Sequence, residues 1–161
     1  MKKTQRGVAM VELAIVLPLL LAICFAITEF GRAIYTYDTL AKSARDAARY
    51  LTTQAAGSGW TTARNLVAYG NPAGTGSPLV PGLDSSNMSS MVTICDASNC
   101  SGNLNQGSYP VFNTVTVTIT GYQFTPVINI LAFTNFYTGG TNSITSITFG
   151  DIAVTMRQKS S

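Results

Sequence analysis

The sequence predicts an α+β protein in which one long N-terminal helix packs on a small antiparallel β-sheet domain. The first observation is an apolar block over residues 8–30, followed by a helical pattern through residues 31–56. The second is residues 111–120, where Val115, Val117 and Ile119 alternate with threonines, the period of a strand with one buried face. The third is the Thr/Ser/Asn/Gly-rich remainder, which is typical of an exported domain.

The apolar block is long enough to cross a membrane. Residues 8–30 read VAMVELAIVLPLLLAICFAITEF and contain two charged side chains, Glu12 and Glu29. About 20 apolar residues cross the hydrocarbon core of a bilayer as a helix. A basic cluster precedes the block, and basic residues favour the cytoplasmic side. We therefore expect a single-pass protein with a cytoplasmic N-terminus and an extracytoplasmic C-terminal domain.

Three kinds of N-terminal signal compete for this block. A secretory signal peptide has an uncharged core of about 7–15 residues, which Glu12 interrupts. A lipoprotein signal has a small residue before its cysteine, whereas Ile23 precedes Cys24. A prepilin signal joins a basic leader ending in glycine to a helix with a carboxylate at its fifth position. The leader MKKTQRG, the Gly7-Val8 junction and Glu12 fit this pattern and predict cleavage between Gly7 and Val8. A plain signal anchor with a tolerated glutamate stays open.

The charged side chains of the block predict two different roles. A carboxylate inside a membrane span is costly and indicates a function. Cleavage would give Val8 a new α-amine, which could pair with Glu12 of a neighbouring subunit, so Glu12 is predicted to act in subunit assembly. Glu29 and Arg32 lie three residues apart and are expected to pair at the membrane boundary, with Arg32 reaching the headgroups.

Several elements of this N-terminal region resemble a known family. They are Arg6-Gly7, Val11-Glu12-Leu13-Ala14, Pro18-Leu19-Leu20, Glu29-Phe30-Gly31-Arg32 and the alanine-rich residues 44–50. Together they resemble the TadE-like proteins, the minor pilins or pseudopilins of tight-adherence pili, and the closing residues 152–157 resemble the last strand of that family. Type II secretion pseudopilins share the Gly-then-Glu arrangement but usually have Phe or Met where this chain has Val8.

The resemblance implies a pilin-like fold and a role in assembling an adhesive type IV pilus of the Tad type. It also implies four kinds of partner: a prepilin peptidase of the aspartyl type, other pilin subunits, inner-membrane assembly proteins and the bacterial inner membrane itself. Incorporation in a cell-surface pilus is a further implication. The major Tad pilins are much shorter than 161 residues, which favours a minor pilin.

The chain is expected to divide into a cleaved leader (1–7), a transmembrane helix (8–30), an amphipathic stem helix (31–56) and an exported α+β domain (57–161). Tyr37, Ala41, Ala44, Ala48 and Leu51 share one face of the stem because their spacings are three and four. In the exported domain a short helix is predicted at 61–68 and a Gly/Pro/Ser-rich loop at 70–90.

Strands are predicted at 91–95 and 111–120, with another β segment near the C-terminus. Ile147 and Phe149 occupy odd positions whereas Ile152, Val154 and Met156 occupy even ones, which predicts a bulge or bend at Gly150-Asp151. The apolar residues 126–136 are expected to form a short helix or a loop plug.

The composition argues against an enzyme, a metal site, a cofactor and a nucleic-acid partner. The chain has no histidine, and without the three leader cations the ten basic residues fall to seven, equal to the seven acidic ones. Cys95 and Cys100 are expected to form a small disulfide loop in an oxidising compartment. The alternative to a pilus subunit is a stand-alone membrane-anchored binding module or adhesin.

Overall fold

The computed structural model describes residues 5–103, 112–128, 135, 139–141, 143 and 145–158. The chain forms two compact units. The anchor unit comprises residues 1–34 and 125–147, and the sheet unit comprises residues 35–124 and 148–161. Helix α1, Gln5–Leu51, contributes to both units, and the sheet unit contains a small antiparallel sheet. The predicted α+β class with a long N-terminal helix is therefore confirmed.

The C-terminal part of α1 buries an alanine-rich face in the core of the sheet unit. Its most deeply buried side chains, each at most 1% exposed, are Leu40, Ala44, Ala47, Ala48 and Leu51. Ala41 of the predicted face is also buried, but Tyr37 is 46% exposed. The charged residues between positions 38 and 49 are exposed, as expected for an amphipathic stem. Small alanine side chains allow the rest of the unit to approach the helix backbone closely.

Helix α1 ends at Leu51 rather than at residue 56. The hydroxyls of Thr52 and Thr53 donate to the carbonyls of Arg49 and Tyr50 at 2.7 and 2.8 Å, so side chains satisfy carbonyls at the end of the helix. Gly59 follows with φ of 75°, a left-handed conformation that favours glycine. The chain then enters α2, Trp60–Tyr69, close to the predicted second helix.

Three strands form the main sheet. A short helix α3, Met88–Met91, leads into β1, Val92–Cys95, which pairs antiparallel with β2, Thr114–Ile119. On its other edge β2 pairs antiparallel with β5, Ile152–Arg157, so the order is β1-β2-β5. A 3₁₀ turn, Ser101–Asn103, follows β1. The strands predicted at 91–95 and 111–120 therefore lie side by side.

The alternation in β2 produces one buried face and one partly exposed face, as predicted. Val115, Val117 and Ile119 are at most 2% exposed, and Val92 and Ile94 of β1 are likewise buried. The threonines of β2 are only partly covered, and the hydroxyls of Thr116 and Thr155 lie 2.9 Å apart across the β2–β5 pair. Register is fixed because a shift by one residue would expose the valines.

The phase change at Gly150-Asp151 separates two strands of different sheets. β4, Ile147–Thr148, pairs with β3, Gln123–Phe124, in a two-stranded sheet, whereas β5 belongs to the main sheet. The ring of Phe149 lies 5.5–5.9 Å from the rings of Tyr37, Tyr122 and Phe124. The predicted bend is thus a break between strands. Of the apolar segment 126–136, residues 129–134 and 136 lie outside the described residues.

Two turns of the sheet unit have the same sequence pattern and the same hydrogen bonds. In Asp-x-Ser-Asn at residues 84–87 and 96–99, the aspartate carboxylate accepts the N–H and hydroxyl of the serine. The asparagine side-chain oxygen accepts the aspartate N–H, and its amide donates to a carbonyl two residues before the aspartate. Such local bonds define an Asx-type turn.

Asp96 differs from Asp84 because its second carboxylate oxygen binds a distant part of the chain. Oδ2 of Asp96 accepts the backbone N–H of Gly57 at 2.8 Å and the indole N–H of Trp60 at 2.9 Å. Asp96 is 1% exposed. Burial raises the pKa of this carboxyl, but the hydrogen bonds from Ser98, Gly57 and Trp60 outweigh it and hold the pKa below its usual value. The Asp96 carboxylate therefore links the residues that follow α1, Gly57 and Trp60, to the turn at the end of β1 by hydrogen bonds.

We expect Asp96→Ala to lower the free energy of unfolding by about 3 kcal/mol, since it removes several charge-assisted hydrogen bonds that a buried carboxylate accepts. Asp84→Ala is the matched control: it removes the same local turn bonds without a distant partner and should lower the free energy of unfolding clearly less. Denaturant unfolding of the full chain, followed by the fluorescence of the single tryptophan, Trp60, measures both. Equal losses of unfolding free energy in the two variants would contradict a stabilising role for the bonds from Asp96 to Gly57 and Trp60.

The stability difference between wild type and Asp96→Ala should depend on pH. Because folding lowers the pKa of Asp96, its contribution is complete above the unfolded pKa of about 3.9 and is lost as pH falls through the lower folded value. Repeating the unfolding curves between neutral and strongly acid pH tests this. A difference that stays constant across that range would argue against an ionised Asp96.

The structure joins Cys95 and Cys100 in a disulfide that closes the second Asx turn, while Cys24 is free and exposed. We expect replacement of both bridged cysteines by serine to lower the free energy of unfolding by about 2 kcal/mol, because a short loop is freed in the unfolded chain. Thiol labelling of the oxidised protein in detergent should modify Cys24 alone, and all three cysteines after reduction. Labelling of Cys95 without reductant would contradict the bridge.

Candidate membrane-anchor and assembly site

The N-terminal half of α1 presents apolar side chains that the described residues leave uncovered. The helix is long and apolar enough to cross a membrane, and none of its most apolar stretch is buried. Val8, Ile15, Ile27 and Phe30 are each 67–68% exposed. Continuous exposed apolar surface of this kind marks a contact with lipid or with a partner protein.

Gly7 and Val8 lie in the first turns of α1, and both are exposed. A Cβ built on Gly7 would meet no atom within 4 Å, so the described structure imposes no steric need for glycine there. Glycine inside a helix is about 1 kcal/mol less favourable than alanine. A reason for Gly7 must therefore be sought outside the folded chain.

Glu12 shares one face of α1 with the predicted cleavage site. Gly7, Val8, Val11, Glu12 and Ile15 line a single shallow groove on the helix surface. Glu12 is exposed and has no ion pair or hydrogen bond with any residue that the structure describes. An acidic side chain thus lies unpaired in an otherwise apolar surface.

Glu29 has the opposite environment. It is 5% exposed, and its Oε2 accepts a hydrogen bond from Nη1 of Arg32 at 2.7 Å within an ion pair. Its Oε1 accepts the backbone N–H of Ile128 at 3.3 Å. Both carboxylate oxygens therefore have partners inside the anchor unit. The predicted Glu29–Arg32 ion pair is present, and the Ile128 N–H adds a second hydrogen bond to the Glu29 carboxylate.

The predicted site residues fall into separate groups. Gly7, Val8 and Glu12 lie together, whereas Glu29 lies about 25 Å further along the same helix. Cys95 and Cys100 belong to the sheet unit. No structural or functional contact was predicted for Asp96 or Ile128. The repeated Asp-x-Ser-Asn pattern could have predicted the turn at Asp96, but no sequence signal pointed to the Ile128 amide.

Within the described residues, no group of three or more His, Cys, Asp or Glu side chains could hold a metal ion. The acidic side chains discussed above are instead bonded to backbone and side-chain donors, or are unpaired in the case of Glu12.

Residues 7–49 match the family model described as TadE-like protein. No curated protein and no solved structure matches the chain. The match begins at the predicted cleavage site, includes Glu12, Glu29 and Arg32, and ends in the stem, while the resemblance of residues 152–157 lies beyond it. It confirms the resemblance over more than a quarter of the chain. The apolar part of α1 and most of the stem therefore match the TadE-like family model.

Proposed function

We propose that this protein is a minor pilin or pseudopilin that a prepilin peptidase cuts between Gly7 and Val8 and that takes part in assembling an adhesive Tad-type pilus. The observation that carries the proposal is the unpaired Glu12 inside a TadE-like apolar helix. Residues 8–30 hold the precursor in the inner membrane, with the N-terminus cytoplasmic and the sheet unit outside.

The environment of Gly7 supports processing at this position. The folded helix has room for a side chain there, yet the chain carries glycine at a cost in helix propensity. A protease that binds the leader in an extended conformation selects glycine where its subsite excludes a side chain. Cleavage after Gly7 then frees the α-amine of Val8 at the start of the helix.

The contrast between the two glutamates supports a role in assembly. Glu29 is paired within its own unit, but Glu12 has no partner among the described residues. A carboxylate at the membrane centre costs about 2.5–3.5 kcal/mol on insertion scales, and Glu12, nearer the cytoplasmic end, costs less. The α-amine of Val8 on a neighbouring subunit supplies the missing cation. The pairing exists only after cleavage, so processing and assembly become coupled.

The disulfide supports the proposed topology of the sheet unit. Cys95 and Cys100 are bridged, and disulfides persist in oxidising compartments outside the cytoplasm. The basic residues that precede the anchor favour a cytoplasmic N-terminus. Both features support an extracytoplasmic sheet unit.

We expect N-terminal sequencing of the mature protein from its native host to begin at Val8. Gly7→Leu should leave the precursor uncut, because a bulky side chain blocks the subsite, whereas the folded helix tolerates it for lack of neighbours. Normal folding of the variant is checked by thiol labelling of the Cys95–Cys100 bridge. A mature chain starting at Met1 or beyond residue 24 would refute processing at this site.

We expect Glu12→Ala to be inserted and cleaved normally but to fail to enter the pilus or its assembly complex. Pilus assembly and surface adherence are measured beside a blot for the mature form. Glu12→Asp keeps the charge with shorter reach and should recover part of the function, while Glu12→Gln keeps the size without the charge and should not.

Assembly of Glu12→Ala at the wild-type level would contradict the role of the carboxylate and favour the stand-alone anchored module. If the alanine variant is degraded or uncut, cross-linking of mature Glu12→Gln subunits decides the same question. Cross-links equal to those of wild type would then contradict the proposed ion pair.

A further inference from the structure

The backbone at residues 126–128 is named here the 126–128 bend. It is hydrogen-bonded to Glu29, near the end of the apolar stretch of α1. The backbone N–H of Ile128 donates to Oε1 of Glu29, whose other oxygen accepts from Arg32. Residues 125–128 and α1 up to Ile34 belong to the same anchor unit. Glu29 is buried at 5% exposure, so this contact lies under other atoms of the unit.

The position of Glu29 along α1 sets the depth of the bend. From Val8 to Glu29 the helix rises about 32 Å at 1.5 Å per residue, and a bilayer hydrocarbon core is about 30 Å thick. With Val8 near the cytoplasmic boundary, Glu29 lies at the outer boundary. The Ile128 amide, within hydrogen-bond distance of Glu29, must lie at the same level.

The side chains around this contact are apolar and uncovered. Val127 is 77% exposed, beside Pro126 in the sequence, and Phe30 and Ile27 on α1 are 68% and 67% exposed. Exposed valine, isoleucine and phenylalanine side chains at the level of the headgroups are suited to the acyl boundary of a leaflet. Arg32, which pairs with Glu29, is a cation suited to lipid phosphate at the same level.

We propose that the 126–128 bend is a second membrane contact, with Val127 inserted in the outer leaflet and Glu29 as the positioning residue that holds the bend at that depth. The occupant of the exposed surface is lipid, because the surface continues the apolar face of the anchor helix. The inference rests on the membrane anchoring in the proposed function. It adds an attachment of the exported part that does not depend on pilus assembly.

The test uses the full chain with Cys24→Ser, reconstituted in vesicles of phosphatidylethanolamine and phosphatidylglycerol. Single cysteines are introduced by Val127→Cys, Phe30→Cys or Leu79→Cys and labelled with a fluorophore whose emission a nitroxide quenches. The nitroxide is carried near the top of the lipid acyl chain. Phe30 reports on the anchor, and Leu79, an exposed apolar residue of the sheet unit at 41%, is the matched control.

We expect quenching at position 127 comparable with that at position 30 and clearly greater than that at position 79. Quenching at 30 but not at 127 would overturn the inference and leave the anchor intact. Quenching at neither would overturn both the inference and membrane anchoring. Equal quenching at 79 and 127 would indicate general adsorption and also overturn the inference.

Two substitutions test the positioning role of Glu29. Glu29→Gln keeps an oxygen that can accept the Ile128 N–H, and quenching at 127 should persist. Glu29→Ala removes the acceptor, and quenching at 127 should fall while that at 30 is unchanged. Full quenching at 127 in the alanine variant would overturn the assignment of Glu29 as the residue that holds the bend.

Discussion

Every other feature of this protein depends on the division of one helix between two environments. From Leu40 to Leu51, α1 buries an alanine-rich face in the sheet unit and exposes its charges. From Val8 to Ile34, its large apolar side chains have little cover from the described residues. Burial of apolar area contributes about 25 cal/mol per Å², so the first half of the helix is stable only where lipid or another protein covers it. The helix therefore presents an uncovered apolar surface at one end and is a core element at the other.

Three carboxylates, two of them buried, show how the chain distributes its hydrogen-bond partners. Asp96 accepts bonds from Gly57, Trp60 and Ser98 within the sheet unit. Glu29 accepts from Arg32 and from the amide of Ile128 within the anchor unit. Both obey the rule that a buried charge is paired or hydrogen-bonded. Glu12 differs from these two because it is exposed and has no partner among the described residues.

Local patterns predicted much of this structure, and long-range contacts account for what was missed. The period of two in residues 111–120 and the spacing of Ala41, Ala44 and Ala48 correctly indicated buried faces, because each pattern reflects its own element. Leu51 as the end of α1 was missed, since the threonine hydroxyls that bond the last helix carbonyls act several residues before the glycines that composition suggests as the end. The bonds of Asp96 to Gly57 and Trp60 join residues 36–39 positions apart. No local pattern encodes such a pair, and the same holds for Glu29 and Ile128.

The extent of the TadE-like match has a structural consequence. It ends at residue 49, after Leu40, Ala44, Ala47 and Ala48, so the matched segment contains both the apolar anchor and most of the face on which the sheet unit is built. Alanine side chains define a smooth, closely approachable surface that makes few shape-specific demands on whatever packs there. Cores tolerate exchange of apolar residues when total volume and pattern are kept. Domains of different sequence can therefore pack on a stem of this kind.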